Sequence, residues 1–254
     1  MKKTILLPII LSFLTSCSDL LYFQEFKVAS VGGKENSDGI YFEDANCEVK
    51  YNFWSDGGNA GFEIYNKTES NLVIDLNKCF FIRNGYSYQY FQNRTFANSS
   101  ATSVEATNAV SNYVMKTSIS SRTKAAVYKS NSTEYLEKEF VTIPPKARVS
   151  IVEFNIQNDR YTNCDLKKYP SSKEVKPLIF MQNGTPVIFK NIIVYSIANT
   201  PVSIEHNFYV TEIKNCSEKV YMETRTKDGC GRSYVTPKKV FKNEEASRFY
   251  LSYE

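Results

Sequence analysis

Short apolar runs that alternate with polar residues, each closed by turn chemistry, dominate the chain from residue 40 onward. Val49, Tyr51 and Phe53 alternate with Lys50 and Asn52. Phe62 and Ile64 resume the pattern after the turn residues Trp54 to Asn59, and Leu72, Ile74 and Leu76 follow a second turn at Asn66 to Asn71. Successive side chains on a strand point to opposite faces, so a period of two places one face in a core and the other in water. Cys79 to Ile82 is a continuous apolar run, Asn84-Gly85 a tight turn, and Tyr86, Tyr88 and Tyr90 a row on one face. Strands at a spacing of about 8 to 12 residues predict a sandwich or a barrel. The 18 Tyr and 17 Phe residues, beside many Val, Ile and Thr, agree with that.

The pattern returns after a gap. Phe140 to Ile143, a Pro144-Pro145-Lys146 turn and the run Val149, Ile151, Phe154, Ile156 predict further strands. So do Leu178 to Met181, Val187 to Tyr195, Val202 to Ile204, Phe208 to Ile213, Val220 to Thr224 and Phe249 to Tyr253, which brings the total to about a dozen. Residues 95–133 interrupt this: about half are Ser, Thr or Asn, and their apolar positions follow no period of two. They read as a long polar insertion, mobile or only partly ordered, with a short helix around Val104 to Met115 as the alternative. A second irregular stretch covers Asn158 to Lys176. Ahead of the main region, Tyr22, Phe26 and Val28 share strand parity, and Ser30 to Gly39 reads as a linker.

The first residues, MKKTILLPIILSFLTSC, have the anatomy of a secretory leader. Lys2 and Lys3 make a positive start, and the apolar stretch Ile5 to Phe13 is too short to span a bilayer, which takes about 20 residues. Leu14-Thr15-Ser16-Cys17 resembles the bacterial lipobox. The resemblance implies removal of residues 1–16 and acylation of Cys17, which would hold the protein to a membrane through a lipid anchor. Ser18 rather than Asp follows the Cys, which favours the outer membrane; whether the domain faces the periplasm or the cell surface stays open. The expected organisation is a leader at 1–16, a lipidated start, first strand and linker at 17–39, and a β-domain at 40–254 carrying the insertion at 95–133.

WSDGGNAG at Trp54 to Gly61, FEIYNKT from Phe62, FFIRNG at Phe80 to Gly85 and the Ile143-Pro144-Pro145-Lys146 turn after a Ser/Thr-rich insertion resemble uncharacterised lipoproteins of Bacteroides-type bacteria. The resemblance covers most of the chain beyond Cys17 and implies an immunoglobulin-like β-sandwich at the outer membrane. It brings no activity.

Charge gives little direction. The chain carries 31 basic and 27 acidic side chains, and two of the basic ones leave with the leader. Lys238, Lys239 and Lys242 are followed by Glu244 and Glu245, so no electrostatic footprint for nucleic acid or anionic lipid is expected. Among the cysteines, Cys216 and Cys230 bracket a hairpin-like segment and are candidates for a disulfide, worth about 3 kcal/mol in an exported protein. Cys47 and Cys79 read as buried small hydrophobes. No spacing of Cys or His suits zinc, and no phosphate-binding or dinucleotide loop is present, so no metal or cofactor is expected.

Catalytic candidates are few. His206, the one histidine, shares strand parity with Ile204 and Phe208 and reads as packed and hydrogen-bonded rather than as a general base. Glu43-Asp44 and Glu244-Glu245 are adjacent carboxylates that read as loop charges. Asp56 in its Gly-rich loop fits a turn better than a Ca²⁺ site. Tyr86, Tyr88, Tyr90 and Trp54 fit sheet packing, or else an aromatic platform for a sugar. The expected function is a non-enzymatic structural or interaction module of the outer membrane. A glycan- or ligand-binding accessory lipoprotein of an uptake system is the alternative, and a hydrolase with paired carboxylates comes third.

Overall fold

The computed structural model describes the backbone at residues 21–114, 117–227 and 230–254, and side chains there except in 95–135. The chain opens with β1 (Tyr22–Val31), a hairpin of β2 (Lys34–Asn36) and β3 (Gly39–Glu43), then β4 (Cys47–Tyr51) and β5 (Phe62–Asn66). β6 (Leu72–Asp75) leads through a 3-10 turn to the hairpin of β7 (Phe80–Arg83) and β8 (Tyr86–Gln89). β9 (Thr95–Val114) and β10 (Thr117–Leu136) are followed by β11 (Phe140–Ile143), β12 (Arg148–Ile151) and β13 (Leu178–Ile179). β14 (Ile188–Ile197) and β15 (Thr200–Ser217) come next. A single helical turn, α1 (Glu218–Tyr221), precedes β16 (Met222–Lys227), β17 (Ser233–Phe241) and β18 (Arg248–Tyr253).

All of these strands except β9, β10, β16 and β17, which pair off in two separate ribbons, make an all-β sandwich of two antiparallel sheets. The larger has the order β11-β6-β14-β15-β1-β18; β7 also pairs with β14 and carries β8, and β13 pairs with β15. The smaller has the order β12-β5-β4-β3-β2. Alternation sets which face is buried. Cys47, Val49 and Tyr51 of β4 and Phe62 and Ile64 of β5 point at Ile74, Phe189, Ile193, Tyr195 and Phe208 of the larger sheet in one continuous core. Tyr51 meets Phe208 with ring centroids 4.9 Å apart, and Phe53 meets Phe189 at 5.3 Å. Removing each such side chain from water is worth about 1.5–3 kcal/mol, which makes this seam the main source of stability.

Glycine chemistry locks one corner. The loop after β4 reaches the far sheet edge, where Gly57 N–H donates to Tyr250 O at 2.7 Å and Gly58 O accepts from Ile156 N–H at 2.8 Å. Gly58 has φ +74°, and a Cβ there would lie 2.7 Å from Phe249 Cγ, so only glycine fits. The Trp54 to Gly61 turn is therefore a clasp between layers.

The structure departs from the sequence reading at several points. The expected linker at 30–39 is the end of β1 plus the β2–β3 hairpin, and β1 is an inner strand between β15 and β18. Phe23, Gln24, Glu25 and Phe26 are all buried because both faces of β1 are covered. Gln24, on the face of Phe26 and Val28, meets the irregular segment beyond β12, its Nε2 donating to Tyr161 O at 2.9 Å and to Asn215 Oδ1 at 2.8 Å, while Phe23 on the other face packs with Cys216 and Tyr221. The segments Val202–Ile204 and Phe208–Ile213 are one strand, β15, turned back on β14 by Ala198 and Asn199 at φ 47° and 63°. Both central residues of this two-residue turn have the positive φ that matches strand twist.

Within the expected insertion, residues 95–114 and 117–133 fall in a two-stranded ribbon rather than a helix or irregular segment, with β9 and β10 paired from Thr95↔Leu136 to Val114↔Thr117. The ribbon belongs to neither sheet, so nothing demands an apolar period of two. Finally, Cys216 and Cys230 do not bridge. Cys216 is a buried free thiol beside Phe23 and Tyr221, while Cys230 is exposed in the turn of the β16–β17 hairpin. Six strand residues at about 3.3 Å each carry that turn some 20 Å from the hairpin's base, far beyond the roughly 7 Å Cα limit for a disulfide.

Candidate functional site

Two open clefts gather the chemistry that the sequence analysis singled out. The first lies at the β3–β4 corner, a cavity of about 260 Å³ lined by Phe42, Asp44, Cys47, Ile204 and His206 among others. Alternation along β15 turns His206 inward, where its ring stacks on Phe42 at 4.0 Å and its Nδ1 shares a 2.8 Å hydrogen bond with Tyr51 Oη. Burial pushes the imidazole down to about 4, against the opposing pull of Asp44. A ring already bonded at Nδ1 and neutral across the physiological range is a packed histidine.

Asp44 closes the β3–β4 turn. Its Oδ1 accepts the backbone N–H groups of Asn46 and Cys47, each at 2.7 Å, and its Oδ2 accepts Tyr195 Oη–H at 2.7 Å. Burial works against the ionised carboxyl, but the bonds from Tyr195 and the two N–H groups outweigh it and hold Asp44 below the usual carboxylate range. Cys47 donates its S–H to Asp44 Oδ2 at 3.6 Å, and burial followed by the Asp44 charge pushes the thiol up to about 12. The thiolate is the nucleophile in cysteine chemistry, so Cys47 is inert at neutral pH. Histidine, thiol and carboxylate thus share a cleft without forming a relay.

The second cleft, about 310 Å³, opens beside the β7–β8 hairpin and is lined by Phe81, Arg83, Tyr88, Glu153, Phe154, Asn155 and Asn158. Phe81 forms its floor, with Tyr88 5.9 Å and Phe154 5.8 Å away between centroids. Tyr88 is 38% exposed and presents its ring to solvent. Arg83 Nη1 donates to Ile156 O at 2.9 Å, which orients the guanidinium along the wall. Glu153 and Glu137 are both bound by Arg94, whose Nη2 donates to Glu153 Oε2 at 2.7 Å. Burial opposes the ionised Glu137, yet hydrogen bonds from Arg94 hold it below the usual range. A general acid needs the opposite shift, so Glu137 is an ion-paired residue of the rim.

The predicted aromatic platform is divided by the fold. Tyr86 and Tyr88 are exposed, Tyr90 is buried with Oη donating to Asn191 Oδ1 at 2.8 Å, and Trp54 packs on Phe241 at 5.2 Å in a separate cluster. Sequence reasoning missed Phe154, Arg83 and Glu153; polar residues flanking a lone aromatic beyond a strand end were the one signal. Asp56 accepts a hydrogen bond from Ser252 Oγ–H and pairs beside Tyr250. Glu43 forms a surface pair with Lys67 at 2.7 Å, and Glu245 one with Arg248 at 2.8 Å. The leader and the Cys17 lipidation site lie outside the described residues. No helix among the described residues is long and apolar enough to cross a membrane.

Comparison with protein families, with curated proteins and with solved structures finds no match to this chain.

Proposed function

We propose that this chain is a non-catalytic interaction module held at the outer membrane by acylated Cys17, in the manner of lipoproteins of Bacteroides-type bacteria. The observation that carries the reading is the place of β1. It begins at Tyr22, five residues beyond the lipobox cysteine, and is hydrogen-bonded on both sides, by β15 and β18. An anchor at Cys17 would therefore enter the sandwich with almost no tether and hold its body against the bilayer. The inert Cys47 thiol and the bonded His206 further support a role in binding rather than catalysis. Mass spectrometry of the membrane-extracted protein is expected to find an amino terminus at Cys17 carrying acyl chains, and Cys17→Ala is expected to abolish both processing and acylation. An unmodified cysteine, or a leader still attached, overturns the reading.

The cleft of Tyr88, Phe154 and Arg83 favours a second, compatible reading in which the module takes a saccharide. An exposed ring offers a stacking face to the C–H side of a sugar, and Arg83, Asn155 and Asn158 place planar donors around it. Binding on a glycan array is expected, with Tyr88→Ala lowering affinity at least about tenfold without unfolding a half-exposed position. An array with no hits, or a Tyr88→Ala variant that binds like the parent, removes this reading.

A further inference from the structure

The net charge of +4 is not spread evenly along the chain. Between Glu218 and Lys242, seven basic side chains stand against three acidic ones, a surplus equal to that of the entire sequence. The fold converts this stretch into α1 and an arm of β16 and β17, which pair only with each other. Arg225, Lys227, Lys238 and Lys239 are all exposed along it. Arg225 and Lys238 stand directly opposite in the ladder, a like-charged pairing that destabilises a two-stranded ribbon. Arg225 pairs with Glu223 and Lys239 with Glu218, each at 2.7 Å, and Glu245 is engaged by Arg248; Lys238 makes no ion pair among the described residues but sits 4.8 Å over the Tyr234 ring.

The root of the arm sits where the chain enters the domain. Leu21 packs with Val220, Met222 and Phe241 in the cluster around Phe23 and Tyr221, and Leu21 O accepts Glu218 N–H at 2.9 Å. Four residue steps of about 3.5 Å separate Leu21 from Cys17, so an anchor there holds the root within about 14 Å of the lipid surface. Basic residues next to an anionic leaflet gain about fivefold in affinity each.

We propose that the β16–β17 arm lies on the bilayer and binds its anionic headgroups, fixing how the sandwich is oriented on the membrane. The geometry rests on the Cys17 anchor reading; the electrostatics do not. The test uses the chain from residue 17 onward, produced without the leader and with Cys17→Ser, so that no lipid is present. It is sedimented with vesicles of phosphatidylcholine containing a third phosphatidylglycerol, and with vesicles of phosphatidylcholine alone. Binding to the anionic vesicles only, weakened by salt, is expected. The double variant Lys227→Glu, Lys238→Glu is expected to bind at least about tenfold more weakly. Lys34→Glu, an equally exposed change on β2, is expected to bind like the parent. Equal sedimentation of the arm variant, an equal loss in Lys34→Glu, or retention on dextran sulfate without vesicle binding each overturns the proposal. Acylation of Cys17 is read separately by mass spectrometry, so the two readings fail independently.

Discussion

His206 ties the stability of the core to pH in a direction set by its burial. Desolvation lowers the imidazole from 6.5 to about 4, so the folded protein keeps it neutral where the unfolded chain protonates it. The unfolded state then binds more protons as pH falls below 6.5, and the contribution present above 6.5 is lost on the way down to about 4. The size of that loss is about 3 kcal/mol. His206→Gln removes the titration together with the stack on Phe42, so the variant is less stable at pH 7, and the gap to the parent is expected to narrow by about 3 kcal/mol between pH 7 and pH 4. Urea denaturation at the two pH values measures it; a gap that does not change with pH shows an imidazole that is not held neutral. The inward face of His206 was legible from its parity with Ile204 and Phe208. Its partners were not, because Tyr51 and Phe42 come from the opposite sheet and no local spacing records a contact across 155 positions.

The β9–β10 ribbon shows the opposite balance between local and distant information. Its strands of 20 residues pair with each other throughout and with no other strand, so about 65 Å of ribbon leaves the sandwich at Arg94 and Glu137. Glu137 N–H donates to Arg94 O at 2.8 Å and closes its base. Replacing residues 98–133 with a two-residue Asn-Gly turn keeps that base and removes only self-pairing. The melting midpoint is expected to move by no more than about 4 °C, equivalent to about 1 kcal/mol in a domain of this size. A drop of more than about 10 °C in a thermal melt would show that the ribbon packs on the sandwich. The composition marked this region as exceptional, but pairing between two polar strands leaves no hydrophobic period to read. The β16–β17 arm escaped for the same reason, since only Tyr234, Val240 and Phe241 of β17 are less than fully exposed.

Taken together, the elements give the sandwich two unlike ends. β1 enters beside β18, with Tyr22 paired to Tyr253 and to Ser217, so the start of β1, the end of β18, α1 and the root of the basic arm gather at one end. The β2–β3 hairpin closes the other end of β1. This polarity is what would let the proposed anchor and the charged arm act on one surface, and it arises only because β1 is an inner strand of the larger sheet.

The alternation of apolar and polar residues was enough to specify an all-β chain, most of its strands and the turn at Pro144 to Lys146, because which side of a strand meets the core is a local property with a period of two. Tertiary structure alone decided that β1 is an inner strand, that Asp44 binds Tyr195, that Arg83 and Phe154 meet Tyr88, and that the lysines of β17 stand apart from Glu244 and Glu245. Each of these depends on pairing or packing between segments far apart in the chain, and the free energy of such contacts is set by which surfaces meet rather than by which residues are neighbours.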